Sequence, residues 1–410
     1  MAFLRRYLLG FGEQALIALL SLIVSLWLIR RGAEGEFGAY VFWASAALLA
    51  VALTTSLTSV HLYRLPPHAG AGRRATERSL LSATLLLALA AALITALAVR
   101  LLPPQLGLPG AILLVPGTLI GFYARALAVS RAEVKWAALI SLIVFGMVLG
   151  GLVVELALGL PATAENVLLL TGAAQALAGG AVLVRLSAGA PPGLGRAHQR
   201  RWAALLRRSG WPLAGALASE ISTRLYVFLV AASAGTTAMA ALAAAQTLLR
   251  PATLLAGAWA AAARSALAAH RHEGDMSRFR RVLRWGAIGP AVATLTLGLG
   301  LAAFWPLVSA WVFAGRYPDL AGTVLLWTVN MAIACFVFSH GVALQALGQL
   351  RAAAQGDLTA ALVTAVSMPL LLWMLPPSAA LLAMIFGGAV QLALQRRALG
   401  RWLTPTGLER

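Results

Sequence analysis

Twelve stretches of about 20 mainly apolar residues follow one another along the chain, and each is long enough to cross a bilayer's hydrocarbon core as a helix. Their limits are 11 to 29, 39 to 60, 79 to 101, 111 to 128, 136 to 158, 167 to 186, 211 to 231, 239 to 263, 284 to 305, 320 to 345, 357 to 375 and 378 to 395. Short polar or Pro/Gly-marked breaks separate them. Runs such as Leu80 to Ala98 are apolar all round, whereas the strands of a membrane β-barrel alternate in character over about ten residues. The expected fold class is therefore all-α integral membrane, with about twelve transmembrane helices.

Composition excludes the soluble alternatives. Only 11% of the 410 residues are charged and 60% are hydrophobic, against about 25% charged in a soluble domain. That leaves too little polar surface to cover a core in water, and a soluble enzyme is ruled out. The single cysteine, Cys335, excludes a disulfide framework and a cysteine-based metal site. The one lysine, Lys135, follows Val134, so no GxxxxGK phosphate loop exists. No cofactor is expected.

The charge is +19, from 32 basic and 13 acidic residues. With the amino terminus placed in the cytoplasm, Arg30, Arg31, Arg100 and Arg316 fall in opposite loops, and Arg224 and Arg250 lie inside spans. Removing those four and two from 32 leaves 26 in the tails and even-numbered loops or at their edges, among them Arg5, Arg6, Arg64, Arg73, Arg74, Arg78, Arg125, Arg131 and Lys135. Basic residues in short loops are retained inside, so both termini are expected in the cytoplasm, and the charge signals topology rather than nucleic acid. Membrane lipids are the expected surroundings, with anionic headgroup contact as a secondary effect. Trp27, Trp43, Trp211, Trp285, Trp305 and Trp373 fall near span ends, the pattern of an interfacial belt. Arg5-Arg6 with the apolar run behind them is not a removable signal: Glu13 and Gln14 interrupt the run, and no small-residue cleavage site follows.

The longest basic connection, Ser187 to Gly210, carries Pro191-Pro192, Arg196, Arg200, Arg201, Arg207 and Arg208 near the chain's midpoint. Three parts are expected: an amino-terminal six-helix bundle over 1–186, a basic cytoplasmic linker with an amphipathic surface helix over 187–210, and a carboxy-terminal six-helix bundle with a short tail over 211–410. Arg73 to Leu81 before the third span corresponds to Ser277 to Arg284 before the ninth, and Arg131 after the fourth to Arg351 after the tenth. Six spans per half means both halves enter from the same side, a parallel repeat with a pseudo-two-fold along the membrane normal.

Four connections carry a further pattern. They are Ile29 to Tyr40 (IRRGAEGEFGAY), Glu273 to Arg281 (EGDMSRFRR), Val312 to Tyr317 (VFAGRY) and Leu344 to Arg351 (LQALGQLR). In order and spacing these segments resemble the polysaccharide-export flippases, which share a superfamily with lipid II flippases and multidrug/toxin-extrusion antiporters. The resemblance spreads over most of the chain. Physically the segments are tight turns at membrane exits, and they mark the fold rather than a substrate contact.

Charges inside spans are costly and usually face a cavity or a partner. Glu220 and Arg224, four residues apart, share a face near the middle of the seventh span. Arg250 sits near the middle of the eighth, with Gln246 a turn earlier, Pro251 next, and no carboxylate among positions 246, 247, 253 and 254. One reading is an anion site in which guanidinium forks engage a diphosphate; the other, for Glu220 and Arg224, is mutual neutralisation. The resemblance supports the first for Arg250, since lipid II flippases carry cavity arginines on the equivalent helix. This sequence departs from them in lacking arginines inside the first two spans, which speaks against lipid II as cargo. Thr54 and Thr58, with Thr55, Ser56 and Ser59, are candidate sugar or phosphate contacts or small packing residues. Asn330, Glu13 and Gln391 are further polar candidates, and Gln175 corresponds in place to Gln391. His270, His272 and Glu273 form a solvated loop rather than a metal site.

The resemblance implies a flippase that moves a polyprenyl-diphosphate-linked oligosaccharide across the bacterial cytoplasmic membrane by alternating access, for surface polysaccharide assembly. Glycan polymerase and glycosyltransferases would be its working partners. A cation-coupled multidrug-type antiporter on the same fold is the alternative. A membrane-embedded glycan polymerase or ligase is disfavoured, because the longest external loop spans about 14 residues, too short for a catalytic loop, so no enzyme activity is expected.

Overall fold

The computed structural model describes residues 2–63, 65, 70–187, 192–193 and 195–403; Arg64 and Pro191 of the readings above lie outside them. Among the described residues every regular element is helical, and the one β-bridge joins Gly32 to Ala162. The helices are α1 (Ala2–Arg31), α2 (Glu36–Thr54), α3 (Val60–Leu62), α4 (Ala71–Leu101), α5 (Ala111–Ser130), α6 (Val134–Ala157), α7 (Ala164–Ser187), α8 (Arg196–Leu206), α9 (Gly210–Thr247), α10 (Arg250–His272), α11 (Met276–Ala303), α12 (Trp305–Val312), α13 (Ala321–Ala346), α14 (Leu350–Met374) and α15 (Ala380–Leu403). A π-helical turn, Thr55–Ser59, joins α2 to α3. Eleven of the helical stretches are long and apolar enough to cross a membrane. The protein is an all-α, multi-pass membrane protein.

The twelfth pass is folded inside α9. Gly235 has φ 82° and ψ 175°, a conformation open to glycine and costly for residues with a Cβ. Nine residues before it and eleven after it, the Tyr226 hydroxyl donates to Gln246 Oε1 at 3.1 Å. Twenty residues of straight helix would set those groups about 30 Å apart, so the chain reverses at Gly235. The seventh pass ends there, and the eighth begins without a loop. The eighth is not the single helix expected over 239 to 263. It stops at Thr247 and resumes as α10 at Arg250. Pro251 accounts for the interruption: it has no N–H to donate back into a continuous helix, but at the start of α10 none is needed.

The chain divides into two compact units, Met1–Leu217 and Ala218–Arg410. Within the first, α5 packs against α2, α4 and α7, and α6 against α7. Within the second, α13 packs against α10, α11 and α15, and α14 against α15. Counted as passes, the fourth with its partners in one unit matches the tenth with its partners in the other. The parallel repeat is thus visible in the packing of each unit by itself.

Helix α8 and the Ser209 turn pack as part of the first unit. The α8 residue His198 hydrogen-bonds Ser79 of α4 (Nδ1 to Oγ, 2.8 Å), and Trp202 Nε1 donates to the Leu57 carbonyl at 3.3 Å. His61 Nε2 meets Ser209 Oγ at 2.9 Å. The first connection explains one of the quoted segments: the Glu36 carboxylate accepts the Ala164 N–H, so the loop after the first pass caps the start of α7. The tryptophan pattern needs correction at two positions. Trp43 and Trp305 are buried and donate to the Leu106 and Tyr317 carbonyls, so they fasten loops, while Trp211, Trp285 and Trp373 are exposed as an interfacial belt requires.

Candidate functional site

The α9 reversal builds a polar cluster in the second unit. On its first arm, Arg224 Nε donates to Glu220 Oε2 at 2.5 Å, and the side chains remain 30% and 16% exposed. On the second arm, Gln246 accepts from Tyr226. The Tyr226 ring is buried edge-on against Trp327 of α13, with centroids 5.3 Å apart. Trp327 Nε1 in turn donates to the Leu242 carbonyl at 3.0 Å. One aromatic pair therefore clamps both arms. Asn330 lies a turn beyond Trp327, half-buried.

Arg250 opens α10, half-buried, directly after the fully buried Leu249. Arg224 and Arg250 both lie within electrostatic reach of the Tyr226 hydroxyl. The two arms thus carry two guanidiniums, Arg224 and Arg250, and the Glu220 carboxylate that pairs with Arg224. At the interruption the carbonyl end of α9, at Thr247, and the N–H end of α10, at Arg250, meet, so their opposite dipole ends largely offset each other. Such a cluster attracts anions, and its forks match phosphate oxygens in pairs. The structure pairs Glu220 with Arg224, joins Gln246 to Tyr226, starts α10 at Arg250 four residues after Gln246, and sets Asn330 on the neighbouring helix. Sequence reasoning missed Tyr226 and Trp327. The available signal was a hydroxyl-bearing aromatic two residues from a mid-span arginine.

Thr54 and Thr58 belong to the first unit. Thr58 is fully buried and donates to the Thr54 carbonyl at 2.7 Å, and Thr54 is itself buried. Ser56 donates to the carbonyls of Ala52 and Pro212. These hydroxyls serve the widened π-helical turn and the entry to α9, which leaves the Thr58 hydroxyl committed to the backbone rather than presented to a sugar.

Glu13 is buried with Arg125, Oε1 to Nε 3.6 Å, and accepts from Ser141 Oγ at 3.5 Å. Arg125 also donates to Gln175 Oε1 at 3.4 Å and lies over the Phe122 ring. The sequence had assigned Arg125 to a loop edge. Instead it is the centre of a polar knot inside the first unit. Gln391 donates to Asp357 Oδ1 at 2.5 Å. His270 meets Glu273 at 3.5 Å, and among the described residues no group of three metal-ligating side chains forms.

No protein-family model and no curated protein matches the chain in sequence. Its backbone does match solved structures. An inward-facing multidrug resistance MATE family transporter of the MOP superfamily superposes with TM-score 0.68 at 14% identity, covering 95% of each chain. The lipid II flippase MurJ, inward closed, gives 0.72 at 12% identity, covering 96% of this chain and 87% of its own. The chain has the fold of the MOP-superfamily transporters. A third MOP-superfamily transporter, from Pyrococcus furiosus, gives 0.62 at 14% identity over 100% of this chain and 96% of its own, and is described by a binding pocket of reversed polarity that suggests a different function. In the MOP fold of the present chain, the polar cluster occupies the seventh and eighth passes.

Proposed function

We propose that this chain flips a polyprenyl-diphosphate-linked oligosaccharide across the bacterial cytoplasmic membrane by alternating access, with both termini in the cytoplasm. The observation that carries the reading is the placing of two guanidiniums, Arg224 and Arg250, on the two arms of the α9 reversal, both near the Tyr226 hydroxyl. One architecture serves several cargoes, so the polarity of the site decides. A charge in mid-membrane costs about 2.5–3.5 kcal/mol on insertion scales, and Arg224 and Arg250 favour an anion there. The MurJ neighbour is named for flipping a lipid-linked cargo. An inside-negative potential drives an anionic headgroup outward by about 2.3 kcal/mol per charge per 100 mV.

The test is accumulation of lipid-linked repeat units on the inner leaflet together with loss of surface glycan. Arg250→Ala lowers flipping about 10–100-fold, the worth of a charge-assisted hydrogen bond of about 1.5–3 kcal/mol. Arg250→Lys keeps the charge but loses the fork and lowers it less. Normal surface glycan in a stably expressed Arg250→Ala protein would reject the reading. The partly exposed Glu220 carboxylate favours the second reading, cation-coupled antiport. On the flippase reading Glu220→Gln retains transport while Arg224→Ala loses most of it; the reverse pattern, with loss of proton dependence, establishes antiport.

Topology is tested separately. The buried Cys335 leaves single-cysteine labelling clean. Cysteine at the exposed Thr237 is expected to react with an impermeant reagent from outside, and cysteine at the exposed Glu273 only after permeabilisation. Reversed labelling would invert the orientation.

A further inference from the structure

A second cationic site lies in the first unit, away from the α9 hairpin. Glu77 is buried near the start of α4 and collects two arginines. Its Oε1 accepts from Arg73 Nε at 2.7 Å and Arg131 Nε at 3.1 Å, and its Oε2 accepts from Arg131 Nη2. The remaining donors of both arginines are tied down as well. Arg73 Nη2 reaches Ser130 Oγ at 3.0 Å, and Arg131 Nη1 reaches the Leu186 carbonyl at 2.7 Å. This lattice holds the start of α4 against the ends of α5 and α7, and it forms the floor of a pocket of about 110 Å³. Arg74 and Arg78 line the same pocket, are exposed, and form no ion pair among the described residues. Its other walls include Leu81, Leu127 and Leu186.

The charges do not cancel. Three arginines and one carboxylate line the pocket, and both carboxylate oxygens already accept from arginine, so Arg74 and Arg78 present their forks unanswered. The leucine walls belong to three helices that run from here into the membrane. A cationic mouth with an apolar wall, at the height where helices leave the bilayer, has the chemistry of a phosphate headgroup joined to an acyl chain.

We infer that this pocket binds a phosphate group, delivered by the headgroup of an anionic phospholipid. The full chain, purified in detergent, is titrated with phosphatidylglycerol and with phosphatidylcholine and followed by native mass spectrometry; thermal unfolding is measured with and without inorganic phosphate. The double variant Arg74→Gln/Arg78→Gln removes two exposed forks and leaves the Glu77 lattice intact. It is expected to weaken retention of one phosphatidylglycerol by about thirtyfold, with phosphatidylcholine unaffected. Arg100→Gln, exposed at the opposite end of α4, is expected to match the unaltered protein. Stabilisation by inorganic phosphate that the double variant abolishes, without a difference in lipid retention, would keep the phosphate site and overturn the lipid as its source. Equal lipid retention and equal phosphate response in the double variant and the unaltered protein would overturn the site.

Discussion

Gly172→Ala is expected to destabilise the protein by about 3 kcal/mol, at the upper end of ordinary overpacking, although it adds one methyl group. A Cβ at Gly172 falls 2.6 Å from the Leu113 carbonyl carbon and the Leu114 nitrogen, both backbone atoms of α5 with no rotamer to retreat into. The contact is mutual: a Cβ at Gly117 falls 2.3 Å from the Gly172 carbonyl oxygen, and one at Gly179 meets Gly121 at 2.8 Å. In lipid, helix association depends on close van der Waals approach rather than on burial from water, so spreading α5 from α7 removes much of what joins them. Gly146→Ala on α6, where a Cβ meets nothing within 4 Å, is expected to be neutral or slightly stabilising. Thermal unfolding of the two detergent-purified variants checks the pair, and equal midpoints would refute the packing argument.

The second large effect concerns Glu77. Glu77→Gln leaves the Arg73 side chain, 3% exposed, without its anion, and an uncompensated buried charge costs about 3–5 kcal/mol. Loss of monodisperse protein after membrane extraction is the expected signature. Adding Arg73→Met removes the stranded charge and is expected to restore much of the yield, because the penalty belongs to the orphaned partner and not to the missing bond. Failure of that rescue would show that the carboxylate acts through Arg131, its second arginine partner.

Hydropathy carried most of the fold into the sequence, because a lipid-facing helix must be apolar along its whole length whatever it packs against. The GTLIG run at 117–121 has the small-residue spacing of a close helix contact, a signal that the sequence reading passed over. What stayed hidden depends on rotation about the helix axis and on partners distant in sequence. Arg125 looked like one more basic residue near a span end, and only its helix face sends it to Glu13 and Gln175 rather than to water. Trp43 and Trp305 stand where belt tryptophans stand, yet they point inward to carbonyls. At the candidate site, Pro251 signalled a loosened helix, but the pairing of Tyr226 with Gln246 requires the reversal at Gly235, and a single glycine among many small residues gives no warning of it.

That reversal acts as a ruler. With no loop to provide slack, distance from the turn is counted in residues: Arg224 stands eleven before Gly235 and Arg250 fifteen after it, which at 1.5 Å per residue is about 16 Å and about 22 Å along helices near the membrane normal. Across a hydrocarbon layer about 30 Å thick, Arg250 stands about 8 Å from the inner face, whereas Arg224 is about 14 Å or more from either and cannot stretch to a headgroup. The Arg224 charge has to be answered in place, and Glu220 one turn earlier answers it.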